Sequence, residues 1–398
     1  MGNYIVYIVY GAYPYNKAAS SFMQREIKNM NNTSKIVIAI VAIAIIVVGI
    51  FAYMSLSQPT GGDETISLNG AGATFPYPLL EAMMNQYKQV KSTVTMNYQP
   101  IGSGGGISAL EGTTVDFAGS DAPLSSADRE LAPNTLHIPE TIGAVTVAYN
   151  IPDVSTGLHL TGQIIADVFQ GKITKWSDQA IQDINQDVML PDKDIVVAHR
   201  SDGSGTTFIF TGYLSAVSTD WEQAIGQGKT VSWPVGLGGN GNTGVAGVVQ
   251  GTECTIGYVE LAYALENDMT VAAIRNPAGN YVTPSLDSTT DAVQSKASQG
   301  LPAGDEDWEN VNVLNAPGEQ AYPIVSFTYL LVYNELNVIP GMTQTKATAL
   351  VQFLWWVVHD GQQLGPDLEY APLPNNVVQI NEESIQSITF NGLTLPTS

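Results

Sequence analysis

The sequence predicts an α/β fold built on parallel sheets. Short apolar, β-rich runs alternate with helical stretches, and the runs end in Gly/Ser/Thr-rich turns. VTMNYQPIGS, TVDFAGSDAP, GAVTVAYNIP, DIVVAHRSDGSGTT and PIVSFTYLLVYN read as strands, the fourth running into a helix. Helices are expected over 76–90, 161–170, 206–216 and 345–360. In open α/β sheets a ligand sits at the carboxyl ends of strands, which is where the polar turns fall. No repeat of fixed period and no low-complexity tract interrupts this pattern.

The chain has 398 residues, of which 44% are apolar, enough for a packed core and two domains of ordinary size. Its charge is sparse and lopsided, with 37 acids against 15 bases. Residues 1–56 hold Lys17, Arg25, Lys28 and Lys35 against Glu26, a net of +3. The remainder therefore carries 11 bases and 36 acids, a net of −25. Such a body repels nucleic acid and anionic membrane surfaces, and no nucleic-acid partner is expected. An anion ligand would need a strongly local site. The one cysteine, Cys254, excludes an internal disulfide and a CxxC metal site, and is expected to be buried and inert.

Residues 36–56, IVIAIVAIAIIVVGIFAYMSL, are 21 residues without a charge or proline. As a helix they would span about 31 Å, one hydrocarbon core. Lys35, Lys28 and Arg25 precede them and the acidic body follows, which places the N-terminus in the cytoplasm and the body outside. The run is longer than a usual signal-peptide core and lacks a clear A-x-A site, so an uncleaved anchor is expected. The organisation that follows is a short cytoplasmic N-terminus at 1–35, a transmembrane anchor at 36–56 and a linker at 57–65. Met23 and Met30 are alternative starts.

Four turns carry anion-binding chemistry. In GAGATFPYP, Thr74 and Phe75 precede Pro76, which suits the first turn of a helix, where N–H groups lack intrahelical partners. A hydroxyl and free N–H groups there make an anion seat, although for this motif taken alone an ordinary N-cap is the better account. In IGSGGGISAL, Ser103 sits in a turn whose glycines allow close backbone approach to a ligand, although a plain strand-to-helix loop also accounts for this motif taken alone. The GxxxxGK[ST] phosphate loop is absent. In VDFAGSDAPL, Asp121 is either a turn residue bonded to its own backbone or an acceptor. An ionised carboxylate repels an anion unless the ligand brings a proton. Phosphate near neutral pH carries one and sulfate carries none, so the carboxylate would select phosphate.

The fourth turn, AHRSDGSGTTFIF, is the richest in donors. Arg200 offers a planar fork suited to an oxyanion, and Asp202 stands where it can hold the guanidinium. Ser204, Gly205 and Thr206 add hydroxyls and N–H groups at a helix start. A capped helix with a local Arg–Asp pair is the plainer account, and the density of donors favours a binding role over it. Together the four turns would bind a tetrahedral dianion without a metal or other cofactor.

GAGATFPYP, GSGGG, VDFAGSDAPL, GKITKWSDQAI, RSDGSGTTF, WPVGLGGNGNTGVAGVVQ and IGYVELAYA, taken in series over about 66–398, resemble the phosphate-binding proteins of high-affinity phosphate ABC transporters. The resemblance implies a type II-like, two-lobed periplasmic-binding-protein fold with a hinge. Lobe one would be 66–144 with 321–398, and lobe two 145–320. It implies phosphate contacts by Thr74, Phe75, Ser103, Asp121, Arg200, Asp202, Ser204, Gly205 and Thr206. Asp121 would accept the phosphate proton and Asp202 would position Arg200. It also implies capture of inorganic phosphate and delivery to the permease and ATPase subunits of an ABC transporter by a monomeric, non-enzymatic protein; the expected hold on the cell membrane comes from residues 36–56, an apparent helix that departs from the family's cleaved signal or lipid. The glycine loop departs from the family, which often has a second serine where Gly104 stands; a side-chain donor is missing there and a backbone N–H remains.

Other functions fit less well. A secreted phosphatase needs metal ligands or an activated nucleophile. His137, His159, His199 and His359 are scattered without metal-ligand spacing, and Ser204 lacks the GxSxG elbow. Sulfate and molybdate receptors conflict with Asp121. Arsenate, which also carries a proton, does not.

Overall fold

A computed structural model describes residues 65–296 and 300–398. The expected membrane anchor at 36–56 and nearly all of the linker lie outside them. Among the described residues no helix is long and apolar enough to cross a membrane.

The first strands, β1 (Ile66–Gly72), β2 (Val94–Gln99) and β3 (Phe117–Ser120), form a parallel set with β1 in the middle. Helix α1 (Tyr77–Val90) connects β1 to β2 and buries Leu79, Leu80, Met83 and Tyr87. Those four recur at helical spacing, so one face meets the core. Each such side chain contributes about 1.5–3 kcal/mol on burial. Helix α2 (Ser103–Glu111) connects β2 to β3, and the short α3 (Ser126–Leu131) follows β3.

Strand β4 (Thr135–Asn150) is 16 residues long and buried along all but its last residue. A second parallel set comprises β5 (Val196–Arg200), β6 (Leu237–Gly239) and β7 (Thr255–Glu260), with β5 between the other two. Helix α4 (Gly205–Val217) leaves the end of β5, and α5 (Gly241–Gly251) leaves the end of β6. Strand β8 (Val325–Tyr333) returns from there to the first half of the sheet. A 15-residue helix, Gln344–Val358, and a later one, Asn375–Ser387, pack after it.

Sheet order is β2-β1-β3-β8-β4-β7-β5-β6. The expectation of parallel sheets holds only at the two flanks. Strand β8 runs antiparallel to both β3 and β4, and β4 runs antiparallel to β7. The physical reason is that β4 serves both flanks. Its first half, to Ala144, pairs with β8, and its second half, from Val145, pairs with β7. The chain therefore passes between two halves through one continuous strand. The sequence reading began this strand at Gly143 and missed its first eight residues, because Pro139 and Glu140 do not read as a central strand. The structure accommodates them with a β-bulge: Thr328 faces Thr141 and Tyr329 faces Pro139, so Glu140 has no residue opposite.

Candidate binding site

The carboxyl ends of β1, β3, β5 and β6 converge, and all four predicted turns meet there. Thr74, Phe75, Ser103 and Asp121 come from the first half, and Arg200, Asp202, Ser204, Gly205 and Thr206 from the second. Thr74, Phe75, Ser103, Asp121, Arg200, Ser204 and Thr206 are all buried.

The halves touch across this place. The Gly104 N–H donates to the Gly203 carbonyl at 2.9 Å, and the Gly205 N–H donates to Ser103 Oγ at 3.1 Å. Two glycines make the approach possible. Gly102 has φ +84°, and a Cβ there would strike the Asp202 carboxylate. A Cβ on Gly205 would strike both Asp121 and Ser103 Oγ. The Gly104 contact also corrects an expectation: its backbone N–H is spent on Gly203 and does not replace the missing serine as a free donor. At the rim, Lys229 Nζ pairs with Asp128 at 2.9 Å, linking the halves again. Asp128 belongs to the capping box of α3 with Ser125.

Arg200 lies at the end of β5 with its side chain almost fully buried. Its Nε donates to Asp202 Oδ1 at 2.8 Å and its Nη2 to Oδ2 at 2.5 Å, a bidentate pair. Nη1 donates to Thr206 Oγ1 at 3.2 Å. Three of the five guanidinium N–H donors are thereby engaged, and two remain for a ligand. Burial works to raise the Asp202 carboxyl, but Arg200 and the Gly241 N–H outweigh it and hold it below the ordinary carboxylate range.

The hydroxyls are aimed by their neighbours. Thr74 Oγ1 accepts the Asn242 N–H at 3.3 Å and the Asn242 side-chain amide at 2.9 Å. Thr206 Oγ1 accepts from Arg200 and, at 3.3 Å, from the same Asn242 amide. A hydroxyl has two acceptor lone pairs and one proton. With both lone pairs taken, each threonine is left only its O–H to offer. Ser103 Oγ accepts from the Asp121 and Gly205 N–H groups and lies 3.4 Å from Asp121 Oδ2. Ser204 Oγ caps α4 by accepting the Thr207 N–H at 3.0 Å, which likewise leaves its proton to donate. The local cap and Arg–Asp pair seen in the sequence are thus both present, and both serve to orient donors.

Phe75 contributes main chain to this place. Its ring is fully buried and meets Tyr370 edge-on, while its carbonyl accepts from the Tyr370 hydroxyl at 2.7 Å. The Thr74 carbonyl accepts from the Tyr263 hydroxyl at 2.7 Å. The backbone of this turn is therefore pinned on its acceptor side.

Asp121 is the acceptor among these donors. Burial pushes its carboxyl up to about 7, against the lowering effects of the Thr328 hydroxyl, Arg200 and Ser103. Thr328 Oγ1 donates to Asp121 Oδ1 at 2.9 Å. Behind it lies Glu140, fully buried, with its carboxyl pushed up to about 8 by burial and by the charge of Asp121.

Sequence reasoning named none of Asn242, Thr328 and Glu140. The first has a local signal, since GGNGNTG is a donor-rich turn at a helix start like those at Thr74, Ser103 and Ser204. The other two sit inside strands, where a lone polar residue carries no such mark. His199, beside Arg200, is stacked on Trp233 at 4.9 Å between ring centroids, and its Nδ1 lies 3.0 Å from the Arg200 carbonyl. It packs as a strand residue. Cys254 is buried.

Residues 57–360 match the model of a PBP superfamily domain. The chain is 42% identical over 331 residues to the phosphate-binding protein PstS of Xylella fastidiosa (strain 9a5c), covering 81% of this chain and 86% of that protein. It is 38% identical over 351 residues to the phosphate-binding protein PstS of Methanocaldococcus jannaschii, covering 83% and 89%. A high-affinity periplasmic phosphate-binding protein solved with bound phosphate aligns with a TM-score of 0.61 at 21% identity, over 84% of this chain and all of that one. That structural likeness establishes the two-lobed α/β architecture.

Proposed function

The chain belongs to the PstS family of phosphate-binding proteins, and from that premise and the site's geometry we propose that it captures inorganic phosphate between its two lobes and delivers it to an ABC transporter. The observation that carries this reading is the orientation of hydroxyls. Thr74 and Thr206 each have both lone pairs filled by N–H donors, which leaves each hydroxyl its proton to offer to a ligand oxygen. Ser204, two N–H groups of Arg200 and the main chain at Phe75 add to that side. Against them stands one acceptor, Asp121. Many donors, a cation largely neutralised by Asp202, and one acceptor match an oxyanion with several unprotonated oxygens and one hydroxyl.

In this reading Arg200 and the hydroxyls bind phosphate oxygens, Ser103, Gly205 and Asp202 hold the cage together, and Asp121 receives the phosphate proton. The lobes would be 66–144 with 321–398, and 145–320, joined through the two central strands. Closure would follow from ligand contacts made by both lobes. The protein would work outside the cytoplasmic membrane, tethered by residues 36–56, beside the permease and ATPase it serves.

A hydrolytic reading finds no support in the geometry. Ser204 Oγ is committed to capping α4, and the imidazole near Arg200 is stacked on Trp233. Calorimetry in EDTA tests the proposal. Phosphate is expected to bind with micromolar or tighter affinity, about −8 kcal/mol or stronger. Absence of a binding heat would overturn it.

A further inference from the structure

Glu140 is a carboxyl that phosphate capture as described above does not use. It is 1% exposed and fully inside the protein, and the bulge in β4 leaves it without a partner residue in the ladder. Bulges re-aim side chains, and this one turns Glu140 toward Thr328. Thr328 Oγ1 lies 2.9 Å from Asp121 Oδ1 and 3.5 Å from Glu140 Oε1. One hydroxyl proton thus stands between two buried carboxyls.

That count constrains the protonation of the pair. A single hydroxyl cannot donate to both carboxylates, and two unpaired charges in one buried volume are strongly disfavoured. Asp121 has further support from Ser103 and from the field of Arg200. Among the described residues the Glu140 side chain has only the long contact to Thr328, since Gln362 bonds its backbone carbonyl and not its side chain. The shared proton therefore rests on Glu140. Thr328 is then free to turn its own proton toward Asp121, which keeps that carboxylate oriented and accepting.

We propose that Glu140 is a positioning residue that, through Thr328, holds Asp121 ready to accept the ligand's proton, and that loss of the Glu140 proton in alkaline solution weakens phosphate capture. This rests on the phosphate-binding reading above. The other groups facing the pair do not titrate in that window. Tyr98, Tyr263 and Tyr329 are all pushed up, chiefly by burial. Arg200 is the cation that faces Asp121. Asp202 is held low by Arg200 despite burial and is ionised throughout. Glu140 itself, raised to about 8 by burial and by Asp121, is the group that changes charge. A bound dianion nearby raises it further, so capture at alkaline pH draws in a proton.

The experiment is phosphate calorimetry on the parent and on Glu140→Gln from pH 8 to 9.5, where phosphate itself stays a dianion. The parent should weaken on the order of tenfold across this range, since one linked proton changes affinity tenfold per pH unit beyond its titration. It should also take up a proton at pH 8.5, read from binding heats in two buffers of different ionisation enthalpy. Glu140→Gln should show a flat profile and no proton uptake. Thr328→Val leaves the Glu140 charge in place but removes the bridge, and should bind more weakly at every pH. A flat profile in the parent, or the same decline and uptake in Glu140→Gln, would overturn the inference while leaving phosphate binding intact. A parent that binds no phosphate at any pH would instead overturn the underlying reading. Should Glu140→Gln fail to fold, binding by Thr328→Val as tight as the parent's at every pH would equally count against the bridge.

Discussion

Asn242 spans the cleft to Thr74, 168 residues earlier, and its one side-chain amide also reaches Thr206. Its side-chain carbonyl is held in turn by the Glu260 N–H at 3.1 Å. A single amide thereby sets the direction of two hydroxyls on opposite sides of the site.

Replacing Asn242 by Ala should therefore reduce phosphate affinity although Asn242 need not touch the ligand. Hydrogen bonds to a charged group contribute roughly 1.5–3 kcal/mol each, and here two donors lose their aim. A drop of at least tenfold, measured by calorimetry, is expected. Affinity within twofold of the parent would show that the threonine hydroxyls keep their orientation without it.

Arg200→Ala should be the most damaging single side-chain truncation in the site. Removing one member of a buried, hydrogen-bonded charge pair costs roughly 2–5 kcal/mol, much of it from leaving Asp202 unpaired. Arg200→Lys should rescue little, because an ammonium cannot make the bidentate contact at 2.8 and 2.5 Å and still present donors to a ligand. Equal binding by the Lys variant would show that charge alone suffices.

Gly205→Ala tests the closed arrangement. A methyl at this position would overlap Asp121 and Ser103 across the cleft, so the halves must separate to admit it. A loss of phosphate affinity on the order of a hundredfold is expected, with little change in thermal midpoint. Retained affinity would mean that the contact of Gly205 with Ser103 is not needed for binding.

The elevated Asp121 carboxyl makes selectivity depend on pH. Its folded value lies above the ordinary one, at about 7, chiefly through burial. Above that pH it is an acceptor only and opposes sulfate, which has no proton to give. As pH falls through about 7 it gains a proton, becomes a donor and tolerates an unprotonated oxyanion. Sulfate should thus compete with phosphate much better at pH 5.5 than at pH 8. Asp121→Asn, whose amide can donate at any pH, should lose discrimination mainly by gaining sulfate, and should show no such pH dependence. Discrimination in the parent that is equal at both pH values would remove Asp121 as its source.

The residues that meet at the candidate site were largely legible because their chemistry is local. Each turn places a hydroxyl, a glycine or a charge at a strand end, and such turns follow from residue type and short spacing. Arg200 and Asp202, two residues apart, needed no tertiary information to be paired. The four expected helices appear over Tyr77–Val90, Gly162–Phe169, Gly205–Val217 and Gln344–Val358 for the same reason, since periodicity and breakers act within a few residues.

By itself, then, the sequence determined the α/β alternation and the donor-rich turns with the Asp121 carboxyl set among them. Tertiary structure alone decided the antiparallel centre of the sheet, the bulge that turns Glu140 inward, and which way each hydroxyl faces. Thr74 depends on Asn242, and Asp121 and Glu140 depend on Thr328, 207 and 188 residues away from it. A hydroxyl donates or accepts according to which neighbours fill its lone pairs, and those neighbours arrive only when distant strands close on one another.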